Sequence, residues 1–299
     1  MAKQPRSLSG KVVAITGGAR GIGRATAQAL IREGAKVGIG DLDLETAQRT
    51  AAELGAGTIA HELNVTDRAS FEAFVDAVEG QLGPLDILIN NAGIMPVGLF
   101  IDEDDASAAR QVDINLHGVI FGTKIALKRM LPRRTGHIVN IASVAGKAGI
   151  PGIATYCATK HAVVGLTEAA RGETRDSGID FSCVMPVVVN TELGSGIKQG
   201  RAVKVVEPED VANEIVAALQ YNRFDVFVPR NVAGITRITG ALPRGAREAI
   251  GRFLKSDRII LDADRTQRTA YEARAARSEP GREPEAPAPD VVAPTEKVA

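Results

Sequence analysis

The chain has 299 residues, 44% of them hydrophobic, enough to bury one large α/β core or two small ones. Its 36 Lys+Arg balance 36 Asp+Glu, so it lacks the basic surplus a general nucleic-acid binder needs to neutralise phosphates. Two cysteines without framework spacing, four scattered histidines and a short polar start without an apolar leader argue against a disulfide scaffold, a metal cluster and secretion. No apolar run reaches membrane-spanning length, and we expect a reduced, cytoplasmic protein.

Apolar runs alternate with helical patterns along most of the chain. Lys11–Thr16 reads as a strand and Ile22–Glu33 as a helix. Lys36–Gly40 and Asp43–Leu54 form the next such pair, then Thr58–Leu63 and Asp67–Leu82. Leu85–Asn90 is a fourth strand, followed by one long helix over Asp104–Leu131, stopped by Pro132. His137–Ala142 is a strand, Gly152–Ser177 a helix, Ile179–Met185 a strand, Glu209–Tyr221 a helix and Asp225–Val228 a last short strand. Continuous apolar strands alternating with helices imply a Rossmann-like, doubly wound parallel sheet covered on both faces. After Pro229 the pattern changes. A basic and apolar extension covers 230–277, of which 262–277 is polar and helix-prone. A Pro-rich stretch, 278–299, reads as a disordered tail because it cannot bury enough apolar surface.

The first strand runs into Thr16-Gly17-Gly18-Ala19-Arg20-Gly21-Ile22-Gly23. Glycines at 17, 21 and 23 permit a tight turn and a close backbone approach to a pyrophosphate, which the following helix N-terminus would attract. Asp41 ends the second strand, where a carboxylate can accept from an adenosine ribose diol and repel a 2′-phosphate. That favours NAD. Arg20 is the complication, since a basic side chain in the turn suits the 2′-phosphate of NADP. Asn64-Val65 ends the third strand, where the amide either bonds an adenine edge or simply makes a turn. Asn91-Ala92-Gly93 follows the fourth strand with small residues beside the same cofactor. Tyr156 and Lys160 stand four apart on one helix face, thirteen residues and more past Ser143. Together they offer a phenol, an ammonium and a hydroxyl to one carbonyl.

In order and spacing these pieces resemble the short-chain dehydrogenase/reductase family in its common single-domain form. The resemblance covers residues 8–229: the turn at Thr16–Gly23, Asn90-Asn91-Ala92-Gly93, Asn115 in the long helix, Ser143, and Tyr156 with Lys160. It implies a strand order 3-2-1-4-5-6-7 and a site at the carboxyl ends of the strands. It also implies that Lys160 binds the nicotinamide ribose, that Asn115 anchors a water in a proton relay, and that Thr191 contacts the nicotinamide. Two departures stand out. Val187 replaces a glycine usual after the sixth strand, and Asn64 stands where the family often has Asp.

The chemistry expected is hydride transfer with Tyr156 as acid/base, Lys160 favouring its phenolate and Ser143 bonding the carbonyl oxygen. Segments 94–100 and 192–206 should line the substrate pocket, the second as a Gly-rich lid. Val144, Ala145, Ile150, Val187, Val188 and Val189 are apolar, and no Arg or Lys is expected where a substrate carboxylate would need one. An uncharged, fairly hydrophobic secondary alcohol and its ketone are therefore expected. Residues 223–258 hold eight Lys/Arg against three Asp/Glu. Val232, Ile235, Ile238 and Leu242, then Ala246, Ile250, Phe253 and Leu254, recur near helical spacing. Two readings stand: a weak peripheral membrane contact through 232–258, or packing on the domain's own edge or on a partner subunit, covering the site. The resemblance implies a homodimer or homotetramer built on the two long helices. The competing functions are an NADP-dependent carbonyl reductase, a sugar-nucleotide epimerase or dehydratase, and a non-catalytic NAD-sensing protein.

Overall fold

The computed structural model describes residues 4–197, 205–253 and 258–278. Seven parallel strands form one sheet: β1 (Val12–Thr16), β2 (Lys36–Asp41), β3 (Ile59–Glu62), β4 (Ile87–Asn90), β5 (Gly136–Ile141), β6 (Ile179–Pro186) and β7 (Asp225–Val228). Their order is β3-β2-β1-β4-β5-β6-β7, as the resemblance implied. β1 and β4 are buried at every position, as strands between two helical layers must be.

The helices are α1 (Gly21–Arg32), α2 (Leu44–Leu54), α3 (Arg68–Leu82), α4 (Asp105–Val112), α5 (Gly118–Met130), α6 (Ala154–Glu173) and α7 (Pro208–Tyr221). Local chemistry sets their starts. The carboxylates of Asp43, Asp67 and Asp104 accept from the N–H of Thr46, Ala69 and Ser107 at 3.0, 2.9 and 2.8 Å. Each such cap stabilises by about 1 kcal/mol. Helix α1 packs against α2 and α7 on one side of the sheet, with Leu30, Ile39, Ile15 and Ile215 fully buried there. Helix α3 packs against α5 on the other side, around Phe71, Phe74, Leu88 and Ile125.

The register aligns the carboxyl ends of the central strands. Thr16 lies opposite Gly40, Asn90 opposite Asn140, and Ile141 opposite Val184. Strands are added to one side of β1 up to β3 and to its other side from β4 on, so the loops leaving β1 and β4 part and open a crevice there, where such sheets bind ligands.

One expectation needs correction. The long helix over Asp104–Leu131 is interrupted: Asp113–His117 forms a π-turn between α4 and α5. Its cause is visible at Asn115, whose side chain is fully buried and bonded to the chain at Ile94. The polar segment 262–277, read as helix-prone, does hold a helix. Beyond β7 the chain forms α8 (Val232–Ala241), α9 (Arg244–Phe253) and α10 (Arg265–Ala276). Helix α10 buries Arg268, Tyr271 and Ala275. Residues 198–204 of the expected lid, Leu254 of the extension's periodicity, and 279–299 of the expected tail lie outside the described residues.

Candidate active site

A cavity of about 470 Å³ opens at the carboxyl ends of the strands. It is lined by the glycine turn, the ends of β2, β3, β4 and β6, Ser143, Tyr156, Lys160, and residues of the C-terminal helix.

At one end the chain is shaped for a dinucleotide. Gly17 and Gly21 have φ of 63° and 51°. A Cβ on Gly23 would lie 2.2 Å from Gly17 O, and one on Gly17 would lie 2.9 Å from Ala92 Cα. Side chains are thus excluded at Gly17 and Gly23, and Gly17 and Gly21 present bare backbone to the cavity. Helix α1 begins there without a side-chain cap and without an acid in its first turn, so its N–H groups and positive dipole end are available to an anion. These features fit a pyrophosphate.

Asp41 reaches the cavity from the end of β2. Its carboxylate accepts from Ala19 N–H at 3.1 Å and Asp43 N–H at 3.2 Å, and burial raises its pKa. Arg20 turns to Asp43, donating from Nη2 at 2.6 Å, and to Thr46 Oγ1 at 2.8 Å. That bond, with smaller help from Thr46, pulls the Asp43 pKa down to about 2. Arg20 is thereby neutralised by a neighbouring carboxylate.

Asn64 and Val65 line the cavity, but Asn64 Oδ1 accepts from Thr66 N–H and Oγ1 at 3.1 and 2.8 Å. The side chain makes the turn, which leaves only its Nδ2 for a ligand. Asn91 is similarly engaged: Nδ2 donates to Thr16 O and Gly17 O, both at 2.9 Å, so it braces the glycine turn from β4. Ala92 and Gly93 follow it along the cavity wall, and Thr191 packs against Gly21 from the loop after β6.

At the other end, α6 carries Tyr156 and Lys160 on its buried face. Tyr156 is 7% exposed, and burial pushes its pKa up to about 12, with the neighbouring Ser143 hydroxyl working the other way. Lys160 Nζ donates to Ile141 O at 2.8 Å and lies 5.5 Å from the Tyr156 ring centroid. Burial lowers its pKa to about 8. Ser143 Oγ accepts from Ala145 N–H at 3.1 Å and donates to Pro186 O at 3.4 Å, which fixes the hydroxyl at the cavity wall.

Asn115 does not line the cavity. Its Oδ1 accepts from Ile94 N–H and its Nδ2 donates to Ile94 O, both at 2.8 Å, with Thr159 Oγ1 at 3.3 Å. It sets the path of the loop after β4 and, through Thr159, couples that loop to α6.

The C-terminal contributors were not found from sequence: Ile260, Tyr271, Arg274, Ala275, Arg277 and Ser278 all line the cavity. Their presence corrects the expectation that no cation stands near the pocket. Arg274 reaches it and pairs with Glu192, and Arg277 lines it as well. The available signal was a face on the polar segment, Arg268, Tyr271 and Ala275 at spacings of three and four, holding one of only three tyrosines.

The family model for short chain dehydrogenases matches residues 11–202. The chain is 41% identical over 191 residues to a sorbitol dehydrogenase of Cereibacter sphaeroides, covering 64% of this chain and 75% of that one. It is 38% identical over 216 residues to a 3-alpha-(or 20-beta)-hydroxysteroid dehydrogenase of Mycobacterium tuberculosis, covering 70% and 82%. Among solved structures, a short chain dehydrogenase/reductase from Burkholderia phymatum in complex with NAD matches with a TM-score of 0.71 at 29% identity. That match covers 78% of this chain and 93% of the other.

Proposed function

The chain belongs to the short-chain dehydrogenase family, and on that premise we propose that it is an NAD(H)-dependent oxidoreductase interconverting an uncharged, fairly hydrophobic secondary alcohol and its ketone. The observation that carries this reading is one cavity holding the glycine turn and Asp41 at one end, and Ser143, Tyr156 and Lys160 at the other.

The bound nicotinamide supplies or accepts the hydride. The chain's own residues hold the carbonyl and move the proton. Tyr156, raised to about 12, is a neutral phenol at neutral pH and a competent donor to a ketone oxygen that gains charge. In the reverse direction it must lose its proton, and the Lys160 ammonium beside it favours that step. Lys160, lowered to about 8, is still mostly protonated at pH 7. Ser143 lines the cavity beside Tyr156 and can donate to the same oxygen once its hydroxyl turns away from Pro186 O, to which it donates at a long 3.4 Å. Asn115 positions the loop that carries Ile94 and Met95.

Two features support NAD over NADP. Asp41 brings a carboxylate to the cavity at the end of β2, and Arg20, the nearest cation, is already paired with Asp43. Apolar lining by Val144, Ala145, Ile150, Ile153 and Val188 around Tyr156 supports a hydrophobic substrate. The names of the relatives range from a polyol to a hydroxysteroid and leave that choice to this chain's own pocket.

Absorbance at 340 nm, with NADH or NADPH and a panel of apolar ketones and secondary alcohols, tests the reading. We expect turnover with a higher kcat/KM for NADH. Tyr156→Phe should lower kcat by about 10³-fold while NADH still binds. A mutant that kept a substantial part of kcat would remove Tyr156 from the chemistry, and preference for NADPH would remove the assignment of Asp41.

A further inference from the structure

Helix α10 brings to the cavity groups that the reaction above leaves unused. It is anchored at its start: Asp264 N–H donates to Gly196 O at 2.8 Å, and at Gly196, with φ of 72°, a Cβ would lie only 2.3 Å from Asp264 O. One turn on, Arg268 is 1% exposed. Its Nε donates to Glu272 Oε1 at 2.9 Å. Its Nη1 donates to Leu193 O and Ser195 O, both at 2.9 Å, and its Nη2 to Met95 O at 2.7 Å. Leu193 and Ser195 follow β6, whereas Met95 follows β4. A single buried guanidinium therefore ties together the two loops that wall the substrate end of the cavity.

Tyr271 stands beside it. Met95 N–H donates to Tyr271 Oη at 2.7 Å, so α10 holds both polar groups of the Met95 backbone. The guanidinium carbons of Arg268 and Arg274 lie 5.0 and 5.8 Å from the Tyr271 ring centroid, within cation–π range, which limits rotation of the ring. Oη accepts from Met95 and keeps its own proton, and among the described residues that proton has no acceptor. Burial raises the pKa of this phenol, so it remains a neutral donor. Tyr271 lines the same cavity as Ser143 and Tyr156, whose wall also holds the apolar Met95, Ile150, Ile153, Val188 and Ile260 and, from the same C-terminal segment, Arg274, Arg277 and Ser278.

We propose that Tyr271 determines substrate specificity: its hydroxyl donates a hydrogen bond to a second oxygen of the substrate, remote from the reacting carbonyl, and Arg268 is the positioning residue that holds it there. The proposal rests on the ketone-reductase reading of the same cavity and narrows its substrate class. The expected substrate is an apolar skeleton bearing two oxygen functions, one reduced or oxidised and one bound. A buried donor of this kind discriminates between ligands, because one without the second oxygen leaves it unpaired.

The test uses the full chain with NADH, cyclohexanone and its three ring diketones. Binding to the protein–NADH complex is followed by NADH fluorescence, and turnover at 340 nm. The wild type should bind at least one diketone about tenfold more tightly than cyclohexanone. Tyr271→Phe should bring that ratio to about one. Arg268→Lys, which keeps a positive charge but loses the planar fork, should reduce the same ratio. The proposal is overturned if no diketone is preferred, if no ketone binds, or if Tyr271→Phe weakens all ketones equally and leaves the ratio intact. A ratio that survives only in Arg268→Lys would overturn the positioning role alone. Binding that shows the Tyr271-dependent preference without turnover of any ketone would sink the reductase reading and leave the Tyr271 contact standing.

Discussion

Helices α8 and α10 belong to the same extension, yet their burial is inverted with respect to their composition. Helix α8, Val-Ala-Gly-Ile-Thr-Arg-Ile-Thr-Gly-Ala, buries no residue, and its Ile235 and Ile238 are 56% and 67% exposed. Helix α10, Arg-Thr-Gln-Arg-Thr-Ala-Tyr-Glu-Ala-Arg-Ala-Ala, is far more polar and buries a guanidinium, a phenol and a methyl. The difference lies in what each helix meets. Helix α10 lands on loop ends whose carbonyls and amide lack strand partners, and Arg268 and Tyr271 answer them one for one. A buried charge is tolerated when its donors are matched in this way. Apolar content alone buries nothing unless a surface waits for it.

The comparison breaks most visibly if α10 can be removed without consequence. A chain ending at Asp262 should lose about 10³-fold in ketone kcat/KM, since an open pocket neither orients substrate nor excludes water. Its affinity for NADH, read by fluorescence, should change far less. An equal loss in both would make α10 a general stabiliser.

Next comes the clamp itself. Arg268→Met keeps bulk but leaves the carbonyls of Leu193, Ser195 and Met95 unpaired, together with Glu272. We expect a loss of about 3 kcal/mol, read by chemical denaturation. An unchanged midpoint would mean that water replaces the guanidinium freely.

A buried polar group inside the sheet sharpens the contrast through pH. His137 sits in β5, with Nε2 2.8 Å from Ser182 Oγ. Burial lowers its pKa to about 4, from 6.5 when exposed, while nearby Asp180 works against that shift and Arg6 with it. The folded state keeps it neutral, so between these values the unfolded chain binds the proton first. Stability is thus fully present above about pH 6.5 and falls as pH drops towards 4. The loss should be roughly 2 kcal/mol between pH 7 and 5, and His137→Gln should flatten it. Persistence of the full slope in that variant would assign it to carboxylates instead. The smallest effect belongs to α8: Ile235→Ser with Ile238→Ser should alter stability by less than about 0.5 kcal/mol.

Strands, helix starts and the glycine turn were legible because each rests on local rules: apolar runs for buried strands, Asp before a helix, glycine where a side chain has no room; the strand order came only from the family resemblance. Tyr156, Lys160 and Ser143 were legible by type and spacing. What sequence left open was settled by partners distant along the chain. Whether Asn64 faces a ligand or makes a turn depended on Thr66 and Ser70. The π-turn at Asn115 depended on Ile94, a residue of another loop. Arg268 and Tyr271 look like ordinary solvent-facing residues of a polar helix until the backbone of Met95 is brought beside them.

The pairing of Arg268 with Met95 spans 173 residues. During synthesis the sheet, complete at Val228, can assemble before α10 has left the ribosome. A nascent or truncated chain would then hold the glycine turn and the Tyr156–Lys160 pair while its substrate wall is still unmade. Maturation of this molecule therefore ends at its candidate active site, and premature termination after β7 should leave the glycine turn built but the wall that selects substrate missing.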